Sequence, residues 1–399
     1  MPRRRRRLMI VAGGIYREEC IAPFWDRLFG SGGRAATAIA GLAAGTELYG
    51  YVAEEWAEDA RCSFGSMGVT PHLTPIPNKI CFRYFHSLSR PEIDGHNRNV
   101  FSPLKASGPA VLRFGMLEGS AIVRGERVVY DPQNWAEALQ FRANGSMADA
   151  LAIVLNQSEL EHSTGLAGMD AVRWLIHDTG AALVVVKRGP WGAAVYCGTR
   201  QTEIPAFQSP SLFKIGSGDV FSAVFAHMWA DRHFSPEEAA RHASQAVATY
   251  VASRDLQRLT PAYPLVPAPS GTAGMIYLAG PFFTLGQRWL VEEARNALLS
   301  LGASVFSPLH EVGILGDAAG IAGRDLAGLR ECSAVLALID GEDAGTLFEL
   351  GYARDRGIPV VAFSEAPRPE SLTMLAGSGC EITDDFGAAV YRSVWAAVR

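Results

Sequence analysis

Short, continuously apolar runs recur along the whole chain, and they restrict it to a small set of folds. Stretches with helical periodicity separate the runs. Strands that read as unbroken apolar runs are typical of parallel sheets with helices on both faces. We therefore expect α/β architecture throughout, with ligands bound beyond the carboxyl ends of the strands. The runs are LMIVAGG, ALAIVLN, ALVVVKRG, MIYLAGP, SVFSP, AVLALID and IPVVAFS.

A proline-rich segment divides these runs into two groups. Residues 259–274 read LTPAYPLVPAPSGTAG, and four prolines in so short a run exclude a helix or a central strand. The chain of 399 residues is also too long for one ordinary core. We therefore predict a domain over residues 1–258, a linker over 259–274 and a second domain over 275–399.

The bulk composition argues against several kinds of partner. A net charge of −5 gives no general reason to expect nucleic acid or an anionic membrane as partner. The run Arg3–Arg7 reads as a solvated basic tail or, alternatively, as a nuclear or nucleic-acid tag. No stretch approaches the ~18 apolar residues of a membrane span, and no signal peptide is expected. Six scattered cysteines without zinc or disulfide spacing fit a reducing cytoplasm.

The sequence KIGSGDVFSAVFAHMW places small residues and an aspartate at the start of a predicted helix. Gly216, Ser217 and Gly218 would leave backbone N–H groups unpaired there, which favours an anion such as a phosphoryl group. Asp219 in the same turn could accept the proton of an attacking hydroxyl. A simpler interpretation is that Asp219 is only the N-cap of the helix and that the glycines form a turn.

This stretch resembles the signature of ribokinase-like sugar and nucleoside kinases, which is usually GAGD followed by an aromatic residue. Three further segments match that family in order, and together they cover most of residues 8–255. The resemblance implies a three-layer α/β kinase domain that uses ATP and Mg²⁺. It leaves open whether a monovalent cation is a third cofactor. The three segments are GSGGRAATAIAGLAAGTELYGYVAEE, IVLNQSELEHSTG and VVVKRGPWGAAVY.

The same resemblance implies roles for individual residues. Asp219 would be the base that activates the acceptor hydroxyl. The remaining assignments are Gly216, Ser217 and Gly218 for the anion hole; Asn156 and Glu159 for magnesium and phosphates through water; Gly189 for the adenine end; and Gly32, Gly33 and Thr37 for the acceptor pocket.

The chain departs from this family where the acceptor would bind. The family usually has a sugar-binding aspartate soon after the first strand, where residues 13–18 here read GGIYRE. Its sugar-binding asparagine appears as Thr37, and its strand-turn threonine as Lys187 or Arg188. A nucleoside or an unusual sugar is therefore as plausible an acceptor as ribose. The alternative that the domain keeps the kinase fold only to bind ligands also remains.

Aromatic and acidic residues follow the strands of the second half. MIYLAGPFF ends in a Gly-Pro turn with Tyr277, Phe282 and Phe283, whose aromatic faces suit a flat base. Asp325 is expected at a helix start, and Glu349 about one turn into a later helix. A desolvated carboxylate near other acids is one way to tune a nucleophile. Each residue also has a purely structural interpretation. Asp325 could be only an N-cap, Tyr277 could be an ordinary core residue, and the two phenylalanines could only pack against the linker.

These residues resemble the nucleoside 2-deoxyribosyltransferase family in the pattern Tyr-Leu-Ala-Gly-Pro, Asp-Leu, Asp-x-Gly-Thr-x-x-Glu-Leu-Gly-Tyr-Ala, over residues 275–365. The resemblance implies a smaller flavodoxin- or Rossmann-like domain with a parallel sheet. Glu349 would attack the anomeric carbon and hold the sugar covalently, and Tyr277 would hold Glu349 in position. Asp325 would assist protonation of the leaving base, and Asp343 would bind sugar hydroxyls. Such chemistry passes through a cationic state that a carboxylate stabilises.

The second resemblance leaves the substrate open. A carboxylate at Asp343 would repel phosphate, which favours a free 5′-hydroxyl. In that family a neighbouring subunit contributes an asparagine, so a homo-oligomer is expected, but here the comparable segment AGSGCEITDDF carries Cys380. The chain is interpreted as a bifunctional enzyme that acts on small nucleosides or sugars. The alternatives are an N-glycoside hydrolase and a nucleotide-sensing protein with one or both sites inactive.

Overall fold

The computed structural model describes residues 8–95, 100–133, 140–262, 264–313 and 315–398, without the side chains of residues 140 and 371. The predicted basic tail Arg3–Arg7 lies outside the described residues. The chain divides into two compact units, and the main boundary between them in the sequence lies between Pro267 and Ala268. The short segment Ser209–Leu212 belongs to the second unit, although the chain on both sides of it belongs to the first.

The first unit contains strands and helices in alternation. Its strands are β1 (Met9–Ala12), β2 (Arg17–Ala22), β3 (Trp25–Leu28), β4 (Thr46–Ala53), β5 (Val69–Ile76), β6 (Cys81–His86), β7 (Glu92–Asp94), β8 (Leu104–Ser107), β9 (Ala110–Phe114), β10 (Ala121–Asp131), β11 (Met147–Asn156), β12 (Leu183–Lys187), β13 (Ala193–Cys197) and β14 (Arg200–Ile204). Its helices are α1 (Gly30–Leu42), α2 (Ala57–Ser66), α3 (Gln140–Ala143), α4 (Gln157–Thr164), α5 (Gly168–Thr179), α6 (Ser217–Ala226) and α7 (Pro236–Ser253).

Ten of the described strands form one large sheet in the order β14-β13-β12-β11-β10-β9-β1-β4-β5, with β8 beside β10. All neighbours are parallel except β12–β13 and β13–β14. Helices α1, α6 and α7 pack together, and α4 packs on α5, which gives the sheet its helical layers. A separate small sheet has the order β3-β2-β6-β7. The predicted α/β architecture with a mainly parallel sheet is confirmed for this unit.

The second unit has a five-stranded sheet, within the residues described, that is parallel throughout. Its order, β16-β15-β17-β18-β19, reverses direction beside β15, and ligands in such folds bind at the carboxyl ends of the strands near the reversal. The predicted smaller domain with a parallel sheet is confirmed. Its elements are β15 (Ile276–Ala279), α8 (Leu285–Ser300), β16 (Val305–Phe306), α9 (Pro308–Glu311), α10 (Ala318–Glu331), β17 (Ala334–Leu338), α11 (Ala344–Asp355), β18 (Val360–Phe363), α12 (Thr373–Gly377), β19 (Glu381–Thr383) and α13 (Phe386–Ala396).

Alternate side chains of the central strands account for the two helical layers of this unit. Val335 and Ala337 of β17 share one buried cluster with Leu350 and Ala353 of α11. Helix α13 packs against β17 and β18 and also contacts α8. Because successive side chains of a strand point to opposite faces, one apolar run covers both layers. No helix in the described parts of the chain is both long enough and apolar enough to cross a membrane.

Candidate active sites

Asp219 lies in the first turn of α6, next to a backbone turn that only glycine adopts easily. The N-cap of this helix is Gly216, whose φ of 72° is in the left-handed region. Asp219 is therefore not the N-cap, and the simpler interpretation of this motif is wrong. Ser217 N donates to Lys214 O (3.0 Å), which leaves the N–H of Gly218, without a partner inside the helix, to bind an anion.

Two side chains already donate hydrogen bonds to the Asp219 carboxylate. Arg34 Nη1 donates to Asp219 Oδ2 (2.9 Å), and Gln133 Nε2 donates to Asp219 Oδ1 (2.9 Å). Burial raises the pKa of Asp219, while the Arg34 charge lowers it. The carboxylate is thus held as an acceptor by a cation and an amide. Both donors come from far along the chain, Arg34 from 185 residues away and Gln133 from 86.

Arg34 is itself held by a second carboxylate. Its Nη1 donates to Glu18 Oε1 (3.0 Å), and its Nη2 donates to Glu18 Oε2. Arg34 is 1% exposed and Glu18 is 5% exposed, so the pair is removed from water. Glu18, Arg34 and Asp219 therefore form a continuous buried ion-pair chain, which we call the arginine clamp. Neither Arg34 nor Glu18 was predicted as a site residue from the sequence; the signal that could have identified Arg34 is its position directly after the glycine pair.

A second buried cation lies beside the anion hole. Lys187 Nζ donates to Asp131 Oδ2 (2.7 Å), which also accepts from Ser222 Oγ (2.6 Å). The Lys187 ammonium lies close to the position that a Cβ on Gly218 would take. Burial lowers the pKa of the Lys214 ammonium, and the Lys187 charge lowers it further. Lys187 and the helix N-terminus therefore place positive charge at this turn, which suits phosphates.

Asn156 and Glu159 make a capping box at the start of α4. The Asn156 side chain accepts from Glu159 N (2.8 Å), and Glu159 Oε2 accepts from Asn156 N (2.7 Å). Burial raises the pKa of Glu159 to about 7, while the Lys187 charge lowers it. Within the described residues there is no group of three acidic, histidine or cysteine side chains that could hold a metal. These side chains therefore do not fit a magnesium ion bound directly, and the predicted water-mediated site stays a prediction.

The other residues assigned to the kinase site are dispersed. Gly189 has a φ of 55° and starts the turn between β12 and β13. Gly32 lets α1 approach β1, because a Cβ there would overlap the backbone of Gly13, and Gly33 packs on the Phe64 ring. The buried Thr37 lies on the wall of a cavity of about 520 Å³, which Trp25, Phe29 and Arg254 also line.

In the second unit, Glu349 and Tyr277 are in direct contact. Tyr277 OH donates to Glu349 Oε1 (2.6 Å), joining β15 to α11 across 72 residues of sequence. Burial raises the pKa of Glu349 to about 7; the hydrogen bond from Tyr277 lowers it, and the charges of Asp325 and Asp343 raise it. Among the described residues, the charged groups named in this balance are both acids. Glu349 is therefore a carboxyl group that titrates near neutrality.

Asp325 is not at a helix start, contrary to the prediction. Helix α10 begins at Ala318, and its N-cap is Asp317, whose side chain accepts from Gly320 N (2.7 Å). Asp317 provides the capping oxygen eight residues before Asp325. Asp325 lies in the middle of the helix, and its Oδ1 is buried without a hydrogen-bond partner in the described structure. Burial raises the pKa of Asp325, which favours a neutral acid that can donate a proton.

Asp343 and Asp340 hold the loop between β17 and α11. Asp343 is the N-cap of α11, and its Oδ2 accepts from Thr346 N (2.7 Å) and Thr346 Oγ1 (2.9 Å). Asp340 Oδ1 accepts from Ser364 Oγ (2.6 Å). The negative charge of Asp343 acts on Glu349, which lies in the same helix. Asp343 therefore has a structural role in addition to any contact with a sugar.

The aromatic residues divide into a buried and an exposed group. Tyr277 is fully buried and stacks on Phe306, with ring centroids 5.5 Å apart. Phe282 and Phe283 form a tilted pair with centroids 5.6 Å apart, and Phe283 is 70% exposed. Cys380, near the position of the missing asparagine, is buried in the core cluster of this unit. A flat base could stack on the exposed pair, whereas Tyr277 is not free to do so.

Family models match both halves of the chain. Residues 121–262 match the model of the pfkB family carbohydrate kinases. Residues 276–388 match the model of the nucleoside 2-deoxyribosyltransferases. Both family resemblances seen in the sequence are therefore confirmed. No curated protein matches the chain.

Several solved structures are similar to the chain over most of their own length. An aminoimidazole riboside kinase from Salmonella enterica, complexed with aminoimidazole riboside and an ATP analogue, has 14% identity and a TM-score of 0.49, over 63% of this chain and 96% of its own. A fructokinase from Vibrio cholerae O395 with fructose, ADP and calcium has 16% identity and a TM-score of 0.47, over 63% and 96%. A ribokinase from Thermotoga maritima has 16% identity and a TM-score of 0.45, over 64% and 96%.

Proposed function

We propose that this chain, which joins a pfkB-type kinase domain to a nucleoside 2-deoxyribosyltransferase-like domain, is a bifunctional enzyme of nucleoside or sugar metabolism. One domain phosphorylates a hydroxyl of a sugar or nucleoside with ATP. The other cleaves or exchanges an N-glycosidic bond. The single observation that best supports the proposal is the 2.6 Å contact between Tyr277 OH and Glu349 Oε1, a half-buried carboxyl group whose pKa burial raises to about 7.

Glu349 is the nucleophile of the glycosyl reaction. Its free oxygen attacks the anomeric carbon, and the electrons of the C–N bond move to the departing base. The protonated form of Asp325, which burial favours, gives its proton to that base. The glycosyl ester at Glu349 then breaks when a second base or water attacks the same carbon. Tyr277 fixes the other carboxylate oxygen and keeps the attacking one aimed at the sugar.

Asp219 is the base of the kinase reaction. It takes the proton of the acceptor hydroxyl, whose oxygen attacks the terminal phosphorus while the bond to the leaving phosphate breaks. ATP, when bound, supplies that phosphoryl group. The turn at Gly216–Gly218 offers the N–H of Gly218 to its oxygens, and Lys187 provides positive charge. The alternative, a kinase fold kept for binding, is favoured by one observation: both oxygens of Asp219 already accept hydrogen bonds.

A product screen tests both halves at once. The full-length protein is incubated with a panel of nucleosides and free sugars, with and without Mg-ATP and an acceptor base, and products are identified by mass. The proposal expects a phosphorylated product only with ATP and base exchange without it. Base release that does not depend on an acceptor base would favour the hydrolase alternative. Calorimetric binding of ATP without turnover of any acceptor would favour the binding-only alternative.

A further inference from the structure

Arg34 has one hydrogen-bond donor that the arginine clamp does not use. Its Nη1 and Nη2 atoms are occupied by Glu18 and Asp219. Its Nε atom is buried and has no hydrogen-bond partner in the described part of the chain. The neighbouring Tyr250 hydroxyl donates to Ile215 O (2.9 Å) and also interacts with the Arg34 guanidinium, but no described oxygen accepts from Nε with hydrogen-bond geometry. A buried cationic N–H without an acceptor is costly, because it has lost its hydration and gained nothing in exchange.

The unused donor lies at the anion hole. Of all atoms near Gly216, Arg34 Nε is the closest to the position that a Cβ on this glycine would take. Gly216 is the N-cap of α6. Ser217 N already donates to Lys214 O (3.0 Å), and Gly218 N has no partner within the helix. The side chain of Asp219 keeps 13% exposure beside the buried guanidinium, so the turn is open at this carboxylate. An oxyanion bound on the turn would satisfy the Arg34 Nε donor and the Gly218 N–H together.

We propose that Arg34 is a catalytic residue of the kinase half, whose Nε–H binds the phosphoryl group in transit while Glu18 holds the guanidinium in place. The proposal rests on the kinase activity proposed above. In the transfer, the acceptor proton moves to Asp219, the acceptor oxygen bonds to phosphorus, and the bond to the nucleoside diphosphate breaks with its electrons leaving on the diphosphate.

The charge balance of the arginine clamp fits this role. Before transfer, the positive charge of Arg34 is shared by Glu18 and Asp219. When Asp219 accepts the proton, it becomes neutral and no longer attracts the guanidinium as strongly. The attraction of Arg34 for the phosphoryl oxygens therefore increases at the step where their charge must be stabilised. A guanidinium that is already fixed by Glu18 needs no reorganisation at that moment.

The test compares a transition-state mimic with a ground-state mimic. The probes are ADP with aluminium fluoride, which imitates the transferred phosphoryl group, and a non-hydrolysable ATP analogue, both with Mg²⁺ and measured by calorimetry on the full chain. Arg34→Met should weaken binding of the ADP–aluminium fluoride complex by about 10²–10³-fold. It should leave binding of the ATP analogue nearly unchanged, since the role is specific to the transition state.

Two further variants separate catalysis from folding. Glu18→Gln with Arg34→Met removes both charges of the buried pair, so that Glu18 is not left unpaired and Asp219 keeps its hydrogen bond from Gln133. It should show the same selective loss with a parent-like melting curve. Arg17→Met is the matched control, because Arg17 is the neighbour of Glu18 but pairs with Asp26 in the small sheet (2.9 Å). It should bind both probes like the parent.

Equal loss of both probes, or no loss of either, would overturn the role of Arg34 while leaving the kinase assignment intact. Failure of the parent protein to bind any adenine nucleotide would instead overturn the proposed kinase function.

Discussion

Asp219 and Glu349 are buried carboxylates near the start of a helix, and burial raises the pKa of both. Their surroundings differ in charge. Asp219 accepts hydrogen bonds from Arg34 and Gln133, and Lys187 adds a further positive charge. Glu349 accepts one from a neutral hydroxyl, that of Tyr277, and the charged groups that act on it are acids. Cations and an amide oppose the effect of burial on the pKa of Asp219, whereas a neutral hydroxyl opposes it at Glu349, whose pKa is raised to about 7.

The difference follows from what each reaction needs. A base that receives a proton next to phosphates must stay anionic where negative charge accumulates, and neighbouring cations make this possible. A nucleophile that stabilises a cationic sugar must be anionic without a competing cation, because a bound guanidinium would weaken it. A motif identifies the carboxylate, but its protonation state depends on partners that other segments supply.

The largest expected effect is a complete separation of the two chemistries. Asp219→Asn should slow phosphoryl transfer by on the order of 10²–10⁴-fold, because the amide fills the same space but accepts no proton. Glu349→Gln should abolish base exchange to a similar degree. Each variant should leave the other reaction at the parental rate, which parallel kinase and base-exchange assays measure. A loss of both activities in either variant would show that the sites are not independent.

A smaller effect is expected from Tyr277→Phe. The hydrogen bond from Tyr277 lowers the pKa of Glu349, so its loss should raise that pKa. The glycosyl reaction needs ionised Glu349, and its kcat/KM should therefore fall as the pH drops through about 7 in the parent and at a higher pH in the variant. The expected rate at pH 6 is about tenfold below the parent, the usual scale for a hydrogen bond to a charged group.

The kinase reaction provides the control for this pH experiment. Its pH profile in Tyr277→Phe should coincide with that of the parent, since Asp219 has no contact with Tyr277. A glycosyl profile that drops uniformly at all pH values would contradict the electrostatic role of Tyr277 and indicate misplacement of Glu349 instead.

The smallest effect concerns Asp343. Asn caps helices about as well as Asp, so Asp343→Asn removes a charge while it keeps the N-cap of α11. The charge of Asp343 raises the pKa of Glu349, and its removal should move the acidic limb of the glycosyl profile slightly to lower pH. Asp343→Ala should additionally cost about 1 kcal/mol of folding stability, measured by denaturant unfolding. Equal stability of the two variants would argue against the capping role.

The sequence predicted the sheets of both units, because short runs of consecutive apolar residues, such as LVVV in β12, are typical of buried parallel strands. It also predicted that Asp219 lies in the first turn of its helix and that Tyr277 lies near Glu349. It failed where the outcome depends on distant or competing partners. Asp325 was expected at a helix start, but Asp317 makes the cap. The arginine clamp joins residues 16 and 185 positions apart, which no local pattern reveals.

The covalent role of Glu349 is tested most directly by trapping. The fluorine of a 2-fluoro nucleoside destabilises the cationic transition state and so slows both formation and breakdown of the adduct. A good leaving base speeds only the formation step, so the adduct accumulates. Mass spectrometry of the digested protein should then find one sugar on the peptide containing GTLFELGYA, at Glu349. Glu349→Ala should give no adduct, and Asp219→Asn should give the parental amount. An adduct on another residue, or base release without any adduct, would contradict Glu349 as the nucleophile.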